Sequence, residues 1–224
     1  GRSLLIQNDG KILLGGGSNF TFALVRYNAN GILDTTFGTG GEVITAVGTS
    51  GEGNSLGIQS DGKIVLGGYS DNNFALVRYT IDGSLDNTFG LGGKVTTVTG
   101  SYSAGKSIGI QNDGKIVLGG YAEADFALVR YNSDGTLDNT FGNGGKIITP
   151  IGVGNSLAIQ NDGKIVMGGD AYNGDIALVR YNSALVGIEK TDSKLFVSKI
   201  YPNPFNSVVT IQFNKPLDNA DLMI

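Results

Sequence analysis

The 224-residue chain contains no histidine, no cysteine and no tryptophan. Without histidine or cysteine, neither a Ser-His-Asp triad nor a Cys-His dyad can be assembled from this chain. Zinc held by His or Cys is excluded for the same reason. A metal here would need oxygen ligands, which points to calcium or magnesium. The lack of cysteine rules out disulfides and leaves the redox compartment open. Positive charge is scarce: 16 Lys and Arg stand against 20 Asp and Glu, for a net charge of −4 and a pI near 4.8. Basic residues do not cluster, which argues against a nucleic-acid surface. No apolar run approaches the ~20 residues of a membrane span, so none is expected. The chain opens Gly1-Arg2-Ser3 without Met and reads as an internal piece of a longer protein, so the lack of a leader says little.

What is present is repetition. The string Gln-x-Asp-Gly-Lys-Ile-x-x-Gly-Gly recurs four times, followed about ten residues later by Ala-Leu-Val-Arg-Tyr. The marker arginine falls at Arg26, Arg78, Arg130 and Arg180, at spacings of 52, 52 and 50. Such a period, built from short strands, marks a radial or stacked β architecture. The 37 glycines exceed twice the usual share of about 7%, yet they sit at fixed places between Ile, Leu and Val runs, as in a turn-rich β protein.

The second copy shows the expected unit. Ser55–Gln59 is a short strand, Ser60-Asp61-Gly62 a tight turn, and Lys63–Tyr69 a second strand. A variable connection, Ser70–Asn73, leads into the strand Phe74–Tyr79. After the Asp82-Gly83 turn and Leu85-Asp86 comes a fourth strand, Lys94–Val98. Both faces of these strands are apolar, as a sheet wedged between two neighbours requires. Four antiparallel strands per ~50 residues match one propeller blade. The fold expected is all-β: a β-propeller, or an open propeller-like arc, of four repeats (1–50, 51–100, 101–150 and a partial 151–183). The last is incomplete because no Leu-Asp-x-x-Phe-Gly segment follows Arg180. Hairpin register places Arg26 opposite Asp34, Arg78 opposite Asp86 and Arg130 opposite Asp138, and recurrence makes these structural ion pairs rather than a ligand site.

The string Phe-Ala-Leu-Val-Arg-Tyr-Asn-x-Asp-Gly-x-Leu-Asp-x-Thr-Phe-Gly-x-Gly-Gly-Lys resembles the delta-60 repeat family of β-propellers. The resemblance covers residues 1 to about 183 and implies the propeller fold, with no assigned activity. In such propellers an N-terminal strand commonly completes the last blade. Residues 184–199 lose the repeat and read as a linker. Residues 200–224 then hold three of the four prolines. There Tyr201-Pro202-Asn203-Pro204-Phe205, followed by the alternating Val208–Phe213, looks like the start of a type IX secretion C-terminal sorting domain. That resemblance implies engagement of the secretion machinery, transit through the periplasm of a Gram-negative bacterium, and release or attachment at the outer surface.

Several motifs weigh less than they first suggest. Gly100–Ser107 matches a phosphate-binding P-loop, but strand sequence follows it where a helix is needed, and the sister segments lack its lysine. The Phe-Gly-x-Gly-Gly runs lack a following helix too and read as turns. The Asn8-Asp9-Gly10 turn and its copies could bind calcium, but each is three residues long and a calcium site needs six or more oxygens. No cofactor is expected, calcium being the alternative.

In a four-stranded meander the repeated Asp-Gly turns lie at one end. The divergent segments lie at the other. Varied loops on a rigid scaffold are where binding resides. That end offers Tyr69, Tyr102, Tyr121 and Tyr172 beside Asp71, Asn72, Glu123, Asp125, Asp170 and Asp175, a set suited to glycan or protein surfaces. The sequence thus reads as a secreted or cell-surface, non-enzymatic binding or scaffold module. The alternative is a secreted polysaccharide hydrolase using paired carboxylates among Glu52 and the other non-repeated acids.

Overall fold

A computed structural model describes residues 1–182, together with the backbone of 197–201 and 210–213. The protein is all-β, in four successive antiparallel sheets. The first holds β1 (Ser3–Ile6), β2 (Ile12–Ser18), β3 (Thr21–Tyr27) and β4 (Glu42–Thr45). The second holds β5 (Gly51–Ile58), β6 (Ile64–Ser70), β7 (Asn73–Tyr79) and β8 (Lys94–Thr97). The third repeats it with β9 (Ser103–Ile110), β10 (Ile116–Ala122), β11 (Asp125–Tyr131) and β12 (Lys146–Thr149). The fourth has three strands, β13 (Gly152–Ile159), β14 (Ile165–Ala171) and β15 (Ile176–Tyr181). A separate antiparallel pair joins β16 (Val197–Tyr201) to β17 (Thr210–Phe213). Of the sorting-motif residues, Tyr201 ends β16, while Pro202, Asn203, Pro204 and Phe205 lie outside the described residues, as does most of the 184–199 linker. No helix long and apolar enough to cross a membrane occurs among the described residues.

Each sheet is a plain meander, so consecutive strands pair and contacts within a repeat are local. The hydrophobic effect acts chiefly between sheets. Leu66, Leu76 and Val77 are fully buried, as are their counterparts Leu118, Leu128 and Val129. Three apolar clusters result, one per junction: Leu24 and Phe37 pack with Leu56 and Tyr79, Phe89 with Leu118 and Tyr131, and Phe141 with Met167 and Tyr181. The free face of the first sheet gives the comparison. Leu4 is 58% exposed, whereas Leu56 in the same slot of the second repeat is 5% exposed. Among the described residues the four sheets therefore form an arc that does not close on itself.

One irregularity recurs with the repeat. The first strand of each later sheet carries a β-bulge, with Asn54, Lys106 and Asn155 as the extra residue. The bulge pushes a backbone carbonyl towards the facing strand, and the second glycine of each Gly-Gly pair makes room. A Cβ on Gly68 would lie 1.9 Å from Glu52 O, one on Gly120 2.0 Å from Ala104 O, and one on Gly169 2.0 Å from Val153 O. Lys106 thus sits in mid-strand with no helix following, which settles the P-loop likeness as a bulged strand.

Candidate functional site

Polar residues gather in two places, one at each end of the sheets. At the uniform end, the connection after the third strand folds back so that the aspartate N–H bonds the arginine carbonyl: Asp34 to Arg26, Asp86 to Arg78, Asp138 to Arg130. Arg26 Nε donates to Asp34 Oδ2 at 2.8 Å, and Arg130 Nε to Asp138 Oδ2 at 2.8 Å. Arg78 Nε lies 2.9 Å from Asp86 Oδ2 as an ion pair. Each guanidinium also stacks on the phenylalanine of Phe-Gly-x-Gly-Gly: Phe37 at 4.3 Å, Phe89 at 4.4 Å and Phe141 at 4.3 Å.

The arginine reaches further, into the next repeat. Arg26 Nη1 donates to Ile81 O at 2.6 Å, and Arg78 Nη1 donates to Ser133 O. The backbone follows: Gly38 N–H bonds Asp82 O, and Gly90 N–H bonds Asp134 O. These arginines are no more than 5% exposed, so their hydrogen bonds serve the joint and are not offered to a ligand. The Thr36 hydroxyl, with Lys11, the Thr36 amide and Arg26, holds the Asp34 carboxyl far below the usual range despite its burial. At Asp86 burial pushes upward, but Thr88, Arg78 and Lys63 outweigh it and bring the group to about 2. A groove lined by Thr39, Glu42, Ile44 and Ser84 also lies at this end.

At the variable end, two-residue turns join the second and third strands of the first three sheets. Both central residues have positive φ: Asn19-Phe20, Asp71-Asn72 and Glu123-Ala124. This is the type I′ geometry that matches strand twist, although Phe, Glu and Ala are poorly suited to it. Neighbouring groups hold the turns in place. The Asp71 carboxylate accepts from Thr49 N (3.1 Å), Thr49 Oγ1 (2.7 Å) and Ser50 N (3.0 Å) in the preceding inter-sheet link. Glu123 Oε1 accepts from Ser101 N and Tyr102 N in the next link. Those contacts depress both carboxyls, the Thr49 hydroxyl contributing most at Asp71 and the Ser101 amide most at Glu123. Asn72 O accepts from Ser103 N at 2.9 Å and Ser103 Oγ at 2.7 Å. Asp71, Asn72 and Glu123 are thereby engaged in tying turns to links.

Closer to the inner strands lies a different group. The slot after each Gly-Gly pair holds Gly17, Tyr69, Tyr121 and Asp170 in successive repeats. Tyr69 is half-buried opposite Glu52, whose carboxylate pairs with Arg2 at 2.5 Å. Burial, then the Glu52 charge, raises the Tyr69 phenol. The Tyr102 ring lies 5.7 Å from that of Tyr121, tilted by 38°, and Lys106 Nζ stands 5.5 Å from the Tyr121 centroid. Burial and the Tyr102 hydroxyl push Tyr121 up to about 12, with Tyr69 near enough to add to the effect. The structure therefore brings Tyr69, Tyr102 and Tyr121 into one row, together with Arg2, Glu52 and Lys106. Sequence reasoning did not place Arg2 there, and put Lys106 in a divergent segment of this end without naming it a candidate, its one signal being its departure from the asparagine of its sister slots.

The remaining candidates lie where the third and fourth sheets meet and along the fourth sheet. The Tyr172 hydroxyl donates to Asp125 Oδ1, and burial plus that carboxylate push Tyr172 up to about 12. Asn155 Nδ2 donates to Asp170 Oδ2 at 2.8 Å, and Asn173 Nδ2 to Asp175 Oδ2 at 2.7 Å. Among the described residues, no three acids come together in a group able to hold a metal.

No curated protein matches the sequence. Solved structures similar to this chain include a structural-genomics target from Lactobacillus plantarum, at 10% identity and a TM-score of 0.49 over 95% of this chain. The chain spans 63% of the length of that protein. Another is an engineered GH43 glycoside hydrolase described as both endo-xylanase and exo-arabinofuranosidase, at 10% identity and a TM-score of 0.41, covering 88% of this chain and 44% of that one. A family model described as "Domain of unknown function (DUF5122) beta-propeller" matches residues 7–37, 59–89, 111–141 and 160–184. The first three segments each run from the glutamine before the Asp-Gly turn to the phenylalanine that stacks on the arginine. With these four matches covering more than half of its length, the chain belongs to the DUF5122 β-propeller family.

Proposed function

We propose that this chain is a non-enzymatic binding module, secreted or held at the cell surface, whose ligand lies across the tyrosine row of the variable end. The observation that carries this reading is the convergence of Tyr69, Tyr102 and Tyr121 from two adjacent repeats beside Arg2, Glu52 and Lys106. Aromatic side chains with polar tips offer large contact area at small entropic cost, and a scaffold stapled at both ends keeps them in place. Of the original candidates, Asp71, Asn72 and Glu123 then act as supports for this surface.

The hydrolase alternative has less support. Glycosidases need two carboxyls free to face one bond. Glu52 is paired with Arg2, Asp170 is held by Asn155, and Asp125 is held by Tyr172. Export through a type IX sorting signal rests on the Tyr201–Phe205 string alone.

A glycan and peptide array, run beside a reducing-sugar assay, tests the reading. Expected are binding without turnover, and weaker binding in Tyr102→Ala and Tyr121→Ala. Turnover that disappears in Asp170→Asn or Asp125→Asn overturns it. For export, deletion of residues 200–224 is expected to retain the protein inside a host with type IX machinery, and surface delivery without them refutes that part.

A further inference from the structure

We infer that the ligand of the tyrosine row is an uncharged, hydroxyl-rich polymer: a neutral polysaccharide chain lying across the second and third repeats. The inference rests on the binding-module reading and adds the ligand class.

Arg2 and Glu52 form an ion pair at 2.5 Å, with the Arg2 side chain 51% exposed. The Glu123 carboxylate is taken by the Ser101 and Tyr102 amides. Asp170 accepts from Asn155, and Asp125 from Tyr172. Lys106 stands over the Tyr121 ring, where the face of the π-system already meets its ammonium. Each of these charged groups thus has an internal contact. An anionic ligand would compete with Glu52 for Arg2 or draw Lys106 off its ring. A cationic ligand would have to displace Arg2 or Lys106. Either exchange gives up an existing contact to make a new one, whereas a neutral ligand leaves all of them standing.

The rings then select among neutral ligands. Tyr102 is 57% exposed and its plane is tilted 38° to that of Tyr121, so the pair forms a shallow, angled apolar wall edged by hydroxyls. A pyranose presents the complement, with C–H groups on its faces and hydroxyls around its rim. The row draws on β6, β10 and the link before β9 and so crosses a junction between sheets, which suits several linked sugars better than one terminal residue.

The test is affinity electrophoresis and calorimetry of the whole chain against xylan, mannan, β-glucan and galactan. Polygalacturonate, a sulfated glycan and poly-L-lysine serve as charged probes. Expected is binding to at least one neutral polysaccharide, rising with oligosaccharide length, and changing less than about twofold between 0.05 and 0.5 M NaCl. Tyr102→Ala and Tyr121→Ala are each expected to weaken it about tenfold or more, with Tyr102→Phe retaining most of it. Leu91→Ala, on an 89% exposed residue at the opposite end, is expected to leave it unchanged. Tyr102 is exposed, so its alanine variant does not open the core, and unchanged circular dichroism verifies that. Preference for a charged probe, or affinity falling steeply with salt, overturns the ligand class while the tyrosine variants still report a binding surface. If no probe binds, or the tyrosine variants bind as the parent does, the row itself is refuted.

Discussion

Three glycines occupy the same slot of the turn after the third strand, and the arc gives them unequal surroundings. Gly31, Gly83 and Gly135 have φ of +81°, +89° and +88°, so alanine at any of them enters the left-handed region. That strain is common to all three and costs about 1–2 kcal/mol. The space around them differs. A Cβ on Gly31 would meet nothing within 4 Å. A Cβ on Gly83 would lie 2.9 Å from two ring carbons of Phe37 and 3.0 Å from Gly38 N, and one on Gly135 would lie 2.8 Å from the Phe89 ring. Each of those rings is pinned beneath an arginine, so it cannot swing away without breaking the stack. Overpacking of that kind adds roughly 1–3 kcal/mol. For a domain of this size, Gly31→Ala is therefore expected to lower Tm by about 2–8 °C, and Gly83→Ala and Gly135→Ala by a further ~2–12 °C. Thermal melts of the three single variants measure this directly. Repeating Gly83→Ala in a Phe37→Leu background should shrink its extra penalty, because the smaller side chain can yield. Equal losses at all three sites would refute the idea that this turn is where one repeat grips the next.

Three further outcomes follow from the same contacts. Asp34, Asp86 and Asp138 all titrate below the unfolded-state value of about 3.9, Asp86 at about 2, so their contribution is complete above that value and is lost as pH falls through the folded one. The urea midpoint is expected to hold steady from pH 7 to about 5 and to drop between roughly pH 4 and 2; a decline already complete by pH 5 would be the contrary result. Tyr79→Phe removes a buried hydroxyl bonded to Thr45 Oγ1 at 2.9 Å across the first junction, and is expected to cost about 1 kcal/mol in denaturant melts, with loss of a phenol that ionises at about 12. Asp71→Ala should speed amide exchange at Thr49 and Ser50, while Asp71→Asn, which tolerates the turn's positive φ and keeps one acceptor oxygen, should speed it less.

How far the sequence could be read depended on the distance over which each contact acts. Strands and Asp-Gly turns follow from alternation and local φ preference, and the Arg78–Asp86 pair follows from hairpin register, since its partners are eight residues apart. Another partner of that arginine, Ser133 O, lies 55 residues away and is set by how one twisted sheet stacks on the next, which periodicity does not encode. A trace of it was nevertheless visible: Phe37, Phe89 and Phe141 recur as strictly as the arginines they support. At the variable end the same difficulty turned acids into apparent ligand groups. Asp71 and Glu123 differ between repeats, as binding residues do, yet each spends its carboxylate on a link 21 or 22 residues earlier in the chain. Difference between repeats therefore sorts these loops less well than availability does. The tyrosines keep exposed or half-buried rings after every structural contact is made, and that residue of unused surface, rather than variability, is what singles out Tyr102 and Tyr121 as the place to look for a ligand.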